Sequence, residues 1–247
     1  AEIKQFKNLK KIKPKTGFVP IMEGCNNFCS YCVVPYTRGR EICRPPKEII
    51  CEVKHLIKKG IKEITLLGQN VNSYKFKIKN EKLSKEKMID FAALLEEIND
   101  LPGGFKIRFL TSHPKDITDR LIDTIAKCDK VEKYIHLPAQ SGDNEILRKM
   151  NRGYTKERYL ALIKKIREKI PDVKLTTDII VGFPGETKKE FNHTVELIKR
   201  VGFKTAYIAM YSPRPGTAAE NLKDNVLLEE KKRRHRILLE LLKNKKK

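Results

Sequence analysis

The chain has 247 residues, 40% of them hydrophobic, which suits one large domain with a real core and argues against a disordered chain. Lys and Arg number 53 against 31 Asp and Glu, and the formal net charge of +22 makes a polyanion such as nucleic acid the natural partner. No apolar run approaches the roughly 20 residues of a membrane span, and the N-terminal AEIKQFKNLKKIKPKTG lacks the apolar centre of a signal peptide, so a soluble, cytoplasmic protein with no membrane partner is expected.

Short β-branched or apolar runs alternate with stretches of helical period. GFVPIM (17–22) reads as a strand, followed by a helix from about Pro46 to Lys59 with Ile49, Val53, Leu56 and Ile57 on one face. EITLLG then reads as a strand, FAALLEEI as a helix, KIRFLTS as a strand, ITDRLIDTIAK as a helix and EKYIHLP as a strand. A helix from about Thr155 to Lys169, the strand VKLTTDIIVG, a helix from about Thr187 to Arg200 and the strand TAYIAMY complete six strands, each but the last followed by a helix. The charged KFKIKNEKLSKEK (75–87) breaks this rhythm and is expected as a mobile, solvated loop; VLLEEKKRRHRILLELLKNKKK reads as a basic amphipathic helix.

Such alternation with short connections predicts parallel strands joined by right-handed crossovers, in a doubly wound sheet or a barrel. Polar residues gather after all six strands, which points to one shared site at the mouth of a barrel. With six strands rather than eight, the expected architecture is α/β, an open partial (β/α)6 TIM-like barrel.

The first strand end carries GCNNFCSYC, with Cys25, Cys29 and Cys32 at a C-x3-C-x2-C spacing. Six cysteines so unevenly placed do not make a disulfide framework, whereas a tight cluster suggests a metal. A structural zinc ion takes four ligands in a closed tetrahedron, and Cys43 in REICRPP is close enough in sequence to be the fourth. A [4Fe-4S] cluster held by only three thiolates leaves one iron open to a small molecule. Cys51 and Cys128, like Cys43 on the second reading, remain unassigned.

The triad, with an aromatic before its last Cys and after the first strand of a six-unit βα chain, resembles the radical-SAM enzymes. The strings GCNNFCSYCVVPYTRGRE, ITLLGQNVNSY, RFLTSHP, HLPAQSG, TTDIIVGFPGET and YSPRPGT look like the radical-SAM core of the methylthiotransferases, most like the MiaB-type tRNA enzymes, over about residues 10–240. The resemblance implies that Cys25, Cys29 and Cys32 hold a [4Fe-4S] cluster with an open iron that binds S-adenosylmethionine (SAM), and that the cluster electron releases a 5′-deoxyadenosyl radical. It places Tyr31 beside the SAM adenine and Gly68, Gln69 and Asn70 near the amino group of its methionine moiety. Ser112, Gln140 and Asp178, at the ends of the third to fifth strands, are suited to carboxylate and ribose contacts. GFPGET (182–187) lacks the GK[ST] ending of a P-loop and reads as a tight turn near the adenine.

His113 and His136 are read as hydrogen-bonded structural histidines rather than bases. Arg38 and Arg40 are candidates for contacting RNA or ordering the cluster loop, with a salt bridge to Glu41 as the plainer role for one of them. The implied reaction places a methylthio group on carbon 2 of an isopentenylated adenosine beside a tRNA anticodon. The implied partners are that anticodon loop and a one-electron reductant such as flavodoxin or ferredoxin.

Full-length methylthiotransferases carry an N-terminal domain holding a second [4Fe-4S] cluster and a C-terminal RNA-binding domain, neither of which matches this chain. Residues 1–15 are accordingly expected as a linker from a missing domain, 16–217 as the barrel, and 218–247 as a basic helix leading to a missing RNA-binding domain. Such a chain is expected to cleave SAM without completing sulfur insertion. Within the class, a threonylcarbamoyl-adenosine tRNA methylthiotransferase or a RimO-type enzyme acting on a ribosomal-protein aspartate are the alternatives. Outside it stands a zinc-stabilised, non-catalytic RNA-binding module.

Overall fold

The computed structural model describes residues 15–80 and 85–243. The linker expected at 1–15 lies, apart from Lys15, outside the described residues, as does the lysine-rich end at 244–247.

All six expected strands form: β1 (Thr16–Pro20), β2 (Glu63–Leu67), β3 (Lys106–Phe109), β4 (Tyr134–His136), β5 (Lys174–Val181) and β6 (Thr205–Met210). They make two three-stranded parallel sheets, ordered β1-β2-β3 and β6-β5-β4. Among the described residues an isolated bridge, Ile107 to Val131, links β3 to the segment leading into β4; Ile107 N–H donates to Lys130 O and Glu132 N–H to Ile107 O. Among the described residues β1 and β6 do not pair, so the barrel is partial and open along that side.

Alternation along the strands separates two faces. Val19, Ile64, Leu66, Ile107 and Phe109 point outward into a buried apolar core shared with the helices. Phe18, Thr65 and Arg108 lie in register across β1, β2 and β3 on the inner face, and Asp178 faces Tyr207 across β5 and β6.

The covering helices are α1 (Pro46–Lys58), α2 (Phe91–Asn99), α3 (Asp119–Lys127), α4 (Lys156–Lys169) and α5 (Lys188–Val201). Their starts are legible in the chain: Pro46 opens α1, and Asp90, Thr118 and Thr155 accept from backbone N–H groups of the first turns of α2, α3 and α4. Gly202, left-handed at φ 64°, ends α5.

Two expectations are corrected. Where a mobile loop is expected at 75–87, Lys75–Asn80 pairs antiparallel with Lys85–Asp90, with Phe76 opposite Ile89; residues 81–84 lie outside the described residues. The strict alternation K-F-K-I-K carries period two, and it lets Phe76, Ile78 and the buried Ile89 pack on the core while Lys75 and Lys77 are exposed. The sixth strand also has its helix. The basic tail forms α6 (Leu228–Lys243), which packs on β6, β5 and α5 and buries Leu238 completely. Short helices at Val34–Thr37 and Asn144–Lys149 and a small ribbon pairing Met22–Glu23 with Ile42–Cys43 are further elements that the sequence did not announce.

Candidate metal centre

The cysteine loop leaves β1 and is closed by residues 39–41. Cys25 N–H donates to Gly39 O, Asn26 and Glu41 bind each other through backbone and side chains, and the Arg40 guanidinium sits 4.4 Å above the Phe28 ring. Gly24, at φ 80°, is required there, because a Cβ would fall 2.1 Å from Arg40 O. Arg40 thus orders the loop. Arg38 pairs with Glu23 rather than Glu41, in an exposed salt bridge.

From below, the turn after Asn144–Lys149 clamps the same loop. Ser30 N–H donates to Met150 O and Asn151 Nδ2 to Phe28 O. Asp143 fixes this short helix by accepting from the N–H groups of Glu145 and Ile146, and His193 Nδ1 lies 2.7 Å from its other oxygen. Burial opposes the Asp143 charge, but His193 and the two N–H groups win and hold the carboxyl below its usual range. A depressed folded-state pKa makes this contribution present above the unfolded value, near about pH 4, and lost as pH falls through the folded one. Asp143→Asn, which keeps an N-cap acceptor but loses the charge-assisted contact with His193, is therefore expected to lower stability by about 1 kcal/mol at pH 7 and to make no difference in strong acid, as read by urea unfolding at several pH values; an equal loss at all pH values would count against it.

Cys25, Cys29 and Cys32 line one pocket of about 300 Å3 together with Tyr31, Gly68, Gln69, Ser112, Gln140 and Asp178. Nine of the ten residues singled out from sequence thus converge. The tenth, Asn70, does not line it: buried, it spends its amide on His113 N–H and Asp116, which ties the ends of β2 and β3 together. Gly68 is small because of packing, since a Cβ would meet the Met22 side chain at 2.6 Å. Ser112 donates to Asn72 Oδ1, and Asp178 Oδ2 lies 3.2 Å from His136 Nε2, whose ring also meets Thr176 through Nδ1.

Sequence reasoning missed the pocket residues Asn27, Val34, Thr111, Pro138 and Arg152, and His113 there is more than a strut. Its Nδ1 accepts from Lys115 N–H, which leaves Nε2 buried and unpartnered. Burial, aided by Arg152 and Lys115, drives its pKa down to about 2, so the ring is neutral. Of the four non-glycine residues at positive φ among the described residues, Thr111 and Gln140 line the pocket, Phe28 belongs to the cysteine loop, and Asn151 anchors that loop. For β-branched Thr111, φ 69° is strained. Thr111→Gly is expected to raise stability by about 1 kcal/mol in urea unfolding; a loss would show the turn unstrained.

The donor set suits an iron–sulfur cluster with a polar ligand. Among the described residues no three His, Cys, Asp or Glu stand close enough to hold a single metal ion. Cys43 belongs to the ribbon opposite Met22 and does not line the pocket, which removes the zinc reading's fourth ligand. Cys51 is exposed and Cys128 buried, both elsewhere. Burial pushes the Cys25 and Cys32 thiols up. Gln69 Oε1, Gln140 Oε1 and His113 Nε2 are buried, unpartnered atoms of pocket residues, free for the polar groups of a bound molecule. Tyr31 packs its ring against the buried cluster of Ile146, Met150, Phe183, Tyr211 and Ala219, which presents an apolar wall. The GFPGET turn supports that wall through Phe183.

The chain is similar to the tRNA-2-methylthio-N(6)-dimethylallyladenosine synthase of Thermoanaerobacter pseudethanolicus, 54% identical over 239 residues, covering 97% of this chain and 48% of that protein. The synthase of the same name from Clostridium botulinum (strain Hall) is 53% identical over 226 residues, covering 92% and 49%. The chain thus spans about half the length of the curated relatives it matches. Among solved structures, the radical S-adenosylmethionine methyltransferase TsrM from Kitasatospora setae superposes with a TM-score of 0.65 at 18% identity, covering 83% of this chain and 38% of that one. Coproporphyrinogen III oxidase (HemN) from Escherichia coli gives 0.63 at 16%, covering 93% and 52%. Both likenesses speak for the fold. The Radical SAM superfamily pattern matches residues 19–198, a span that holds the whole cysteine loop and every residue of the pocket, and the chain belongs to that superfamily.

Proposed function

We propose that this chain is the radical-SAM core of a tRNA methylthiotransferase, one that adds a methylthio group to carbon 2 of an isopentenylated adenosine beside the anticodon. The observation that carries this reading is the high identity, over nearly the whole chain, with relatives named for that product. Relatives so named favour the isopentenyl branch over the threonylcarbamoyl one, and the +22 charge favours RNA over a ribosomal protein as substrate. A cytoplasmic setting fits such a substrate, and among the described residues no helix is long and apolar enough to cross a membrane.

Cys25, Cys29 and Cys32 would hold the [4Fe-4S] cluster, and SAM would lie in the adjoining pocket. Together they supply one-electron cleavage of SAM to a 5′-deoxyadenosyl radical, the agent for removing hydrogen from carbon 2. The chain's own residues bind and orient. Gln69 and Gln140 offer amide oxygens to amine or hydroxyl donors, neutral His113 offers its Nε2 hydrogen to an oxygen, and Asp178 accepts from hydroxyls at the pocket edge. Tyr31 gives an apolar wall for a base and keeps water from that side. Asp178 is shared with a neighbouring cleft inside the barrel lined by Leu110, Thr111, Tyr134, His136, Thr176 and Tyr207, where a splayed-out base would sit within reach. A one-electron donor of the flavodoxin or ferredoxin kind and a second cluster in a further N-terminal domain complete the proposal.

The test is anaerobic reconstitution with iron and sulfide, followed by dithionite, SAM and unmodified tRNA. The expected result is 5′-deoxyadenosine by chromatography with no methylthiolated nucleoside by mass spectrometry of digested tRNA. A colourless chain carrying zinc and making no 5′-deoxyadenosine would sink the reading, and full methylthiolation by the 247 residues alone would refute the need for further domains.

A further inference from the structure

We infer that Arg152 is the counter-cation of the cluster, a positioning residue that donates to the sulfur of Cys29 and raises the cluster's reduction potential; this rests on the cluster reading above. Arg152 is only 4% exposed, and the hydrogen-bond partners of its guanidinium among the described residues include no carboxylate. Its contacts are few and specific. Nη1 lies 3.3 Å from Cys29 Sγ and 3.3 Å from Tyr31 OH, Nε donates to Tyr154 OH at 3.0 Å, and Nη2 donates to Pro138 O at 3.0 Å. All of these partners but the thiol are neutral oxygens.

A buried cation is costly unless an anion answers it. Neutral oxygens solvate the guanidinium without balancing its charge, and the remaining partner is a cluster ligand. Three thiolates on an oxidised cubane leave a net negative charge, which grows by one on reduction. A fixed positive charge beside Cys29 therefore favours the reduced form over the oxidised one, and a hydrogen bond to a ligand sulfur acts in the same direction.

The surroundings hold the guanidinium in place rather than let it wander. Tyr154 OH itself donates to the carbonyl groups of Pro138 and Ala139, and Tyr154 packs against Tyr159, whose OH binds Leu137 O. Arg152 N–H donates to Leu147 O, at the end of the short helix that clamps the cysteine loop. Arg152 thus joins the end of β4, the clamp and the cluster loop at a single charged point. Its distance from Tyr31 also lets it fix the ring that walls the pocket.

The test compares the reconstituted parent chain with Arg152→Met, Arg152→Lys and Tyr154→Phe. Thermal melting and iron per chain come first, then the midpoint potential without SAM, from a dithionite and mediator titration followed by electron paramagnetic resonance. Arg152→Met is expected at a more negative midpoint, with the reduced-to-oxidised ratio at the parent midpoint falling roughly tenfold or more, about 59 mV for one electron. Arg152→Lys and Tyr154→Phe, which keep the charge, are expected near the parent value. Arg152→Met that folds but holds no iron, while Arg152→Lys holds it, also supports the assignment.

Arg152→Met with full iron at the parent midpoint overturns it. Loss of the native melting transition in both Arg152 variants does so too, since that makes the residue a strut of the fold. A parent chain that takes up no iron fails at the earlier step, and takes the cluster reading and this inference down together.

Discussion

Cys29→Ala is expected to fold, to lose the brown cluster and to give no 5′-deoxyadenosine above background, whereas Cys43→Ala keeps both. Cys29 is the buried member of the triad and the one whose sulfur meets Arg152, so its loss leaves two thiolates and a guanidinium with nothing anionic beside it. Two thiolates do not retain a four-iron cubane. Metal analysis on the two variants checks this directly. Four irons and product from Cys29→Ala, or loss of metal from Cys43→Ala, would redraw the ligand set.

Arg234→Ala is expected to cost about 3–5 kcal/mol of stability, the range for stranding one partner of a buried ion pair. Arg234 lies in α6 with its side chain 5% exposed, and its Nη1 reaches Glu186 Oε2 at 2.7 Å, where the Glu186 side chain is wholly buried. Glu186 Oε2 also accepts from Gly182 N–H, so one carboxylate shapes the turn after β5 and anchors the last helix. Burial pushes the Glu186 carboxyl up despite these partners, which marks how expensive its charge becomes once Arg234 is gone. The double variant Glu186→Gln with Arg234→Met is expected to be less destabilised than Arg234→Ala, because it strands no charge. Chemical unfolding of the three proteins decides it; near-zero cost for Arg234→Ala would mean that water reaches Glu186.

These two sites differ in how far the sequence could announce them. Cys25, Cys29 and Cys32 are local in the chain, and spacing alone reports local geometry. The six strands were legible for a similar reason, since Val19, Ile64, Leu66, Ile107 and Phe109 sit in short apolar runs between helical periods. Arg152 and Glu186 were not. Each looks in sequence like a solvated surface charge, and the group that answers it, Cys29 for Arg152 and Arg234 for Glu186, lies 123 or 48 positions away. The 75–87 hairpin was hidden because lysines mask an alternation that Phe76, Ile78 and Ile89 carry. Asn70 was read by its neighbourhood at a strand end, where only coordinates tell a strut from a ligand contact.

The unpaired edges of β1 and β6 have a topological consequence. A nucleotide within a long polymer has no nearby free end, so it cannot be threaded through a closed ring of strands. A ring with a missing seam asks for no threading. On the proposed function, a base would come in sideways toward Asp178 past Phe18 and Tyr207, both exposed on their strands, with its sugar and phosphates outside.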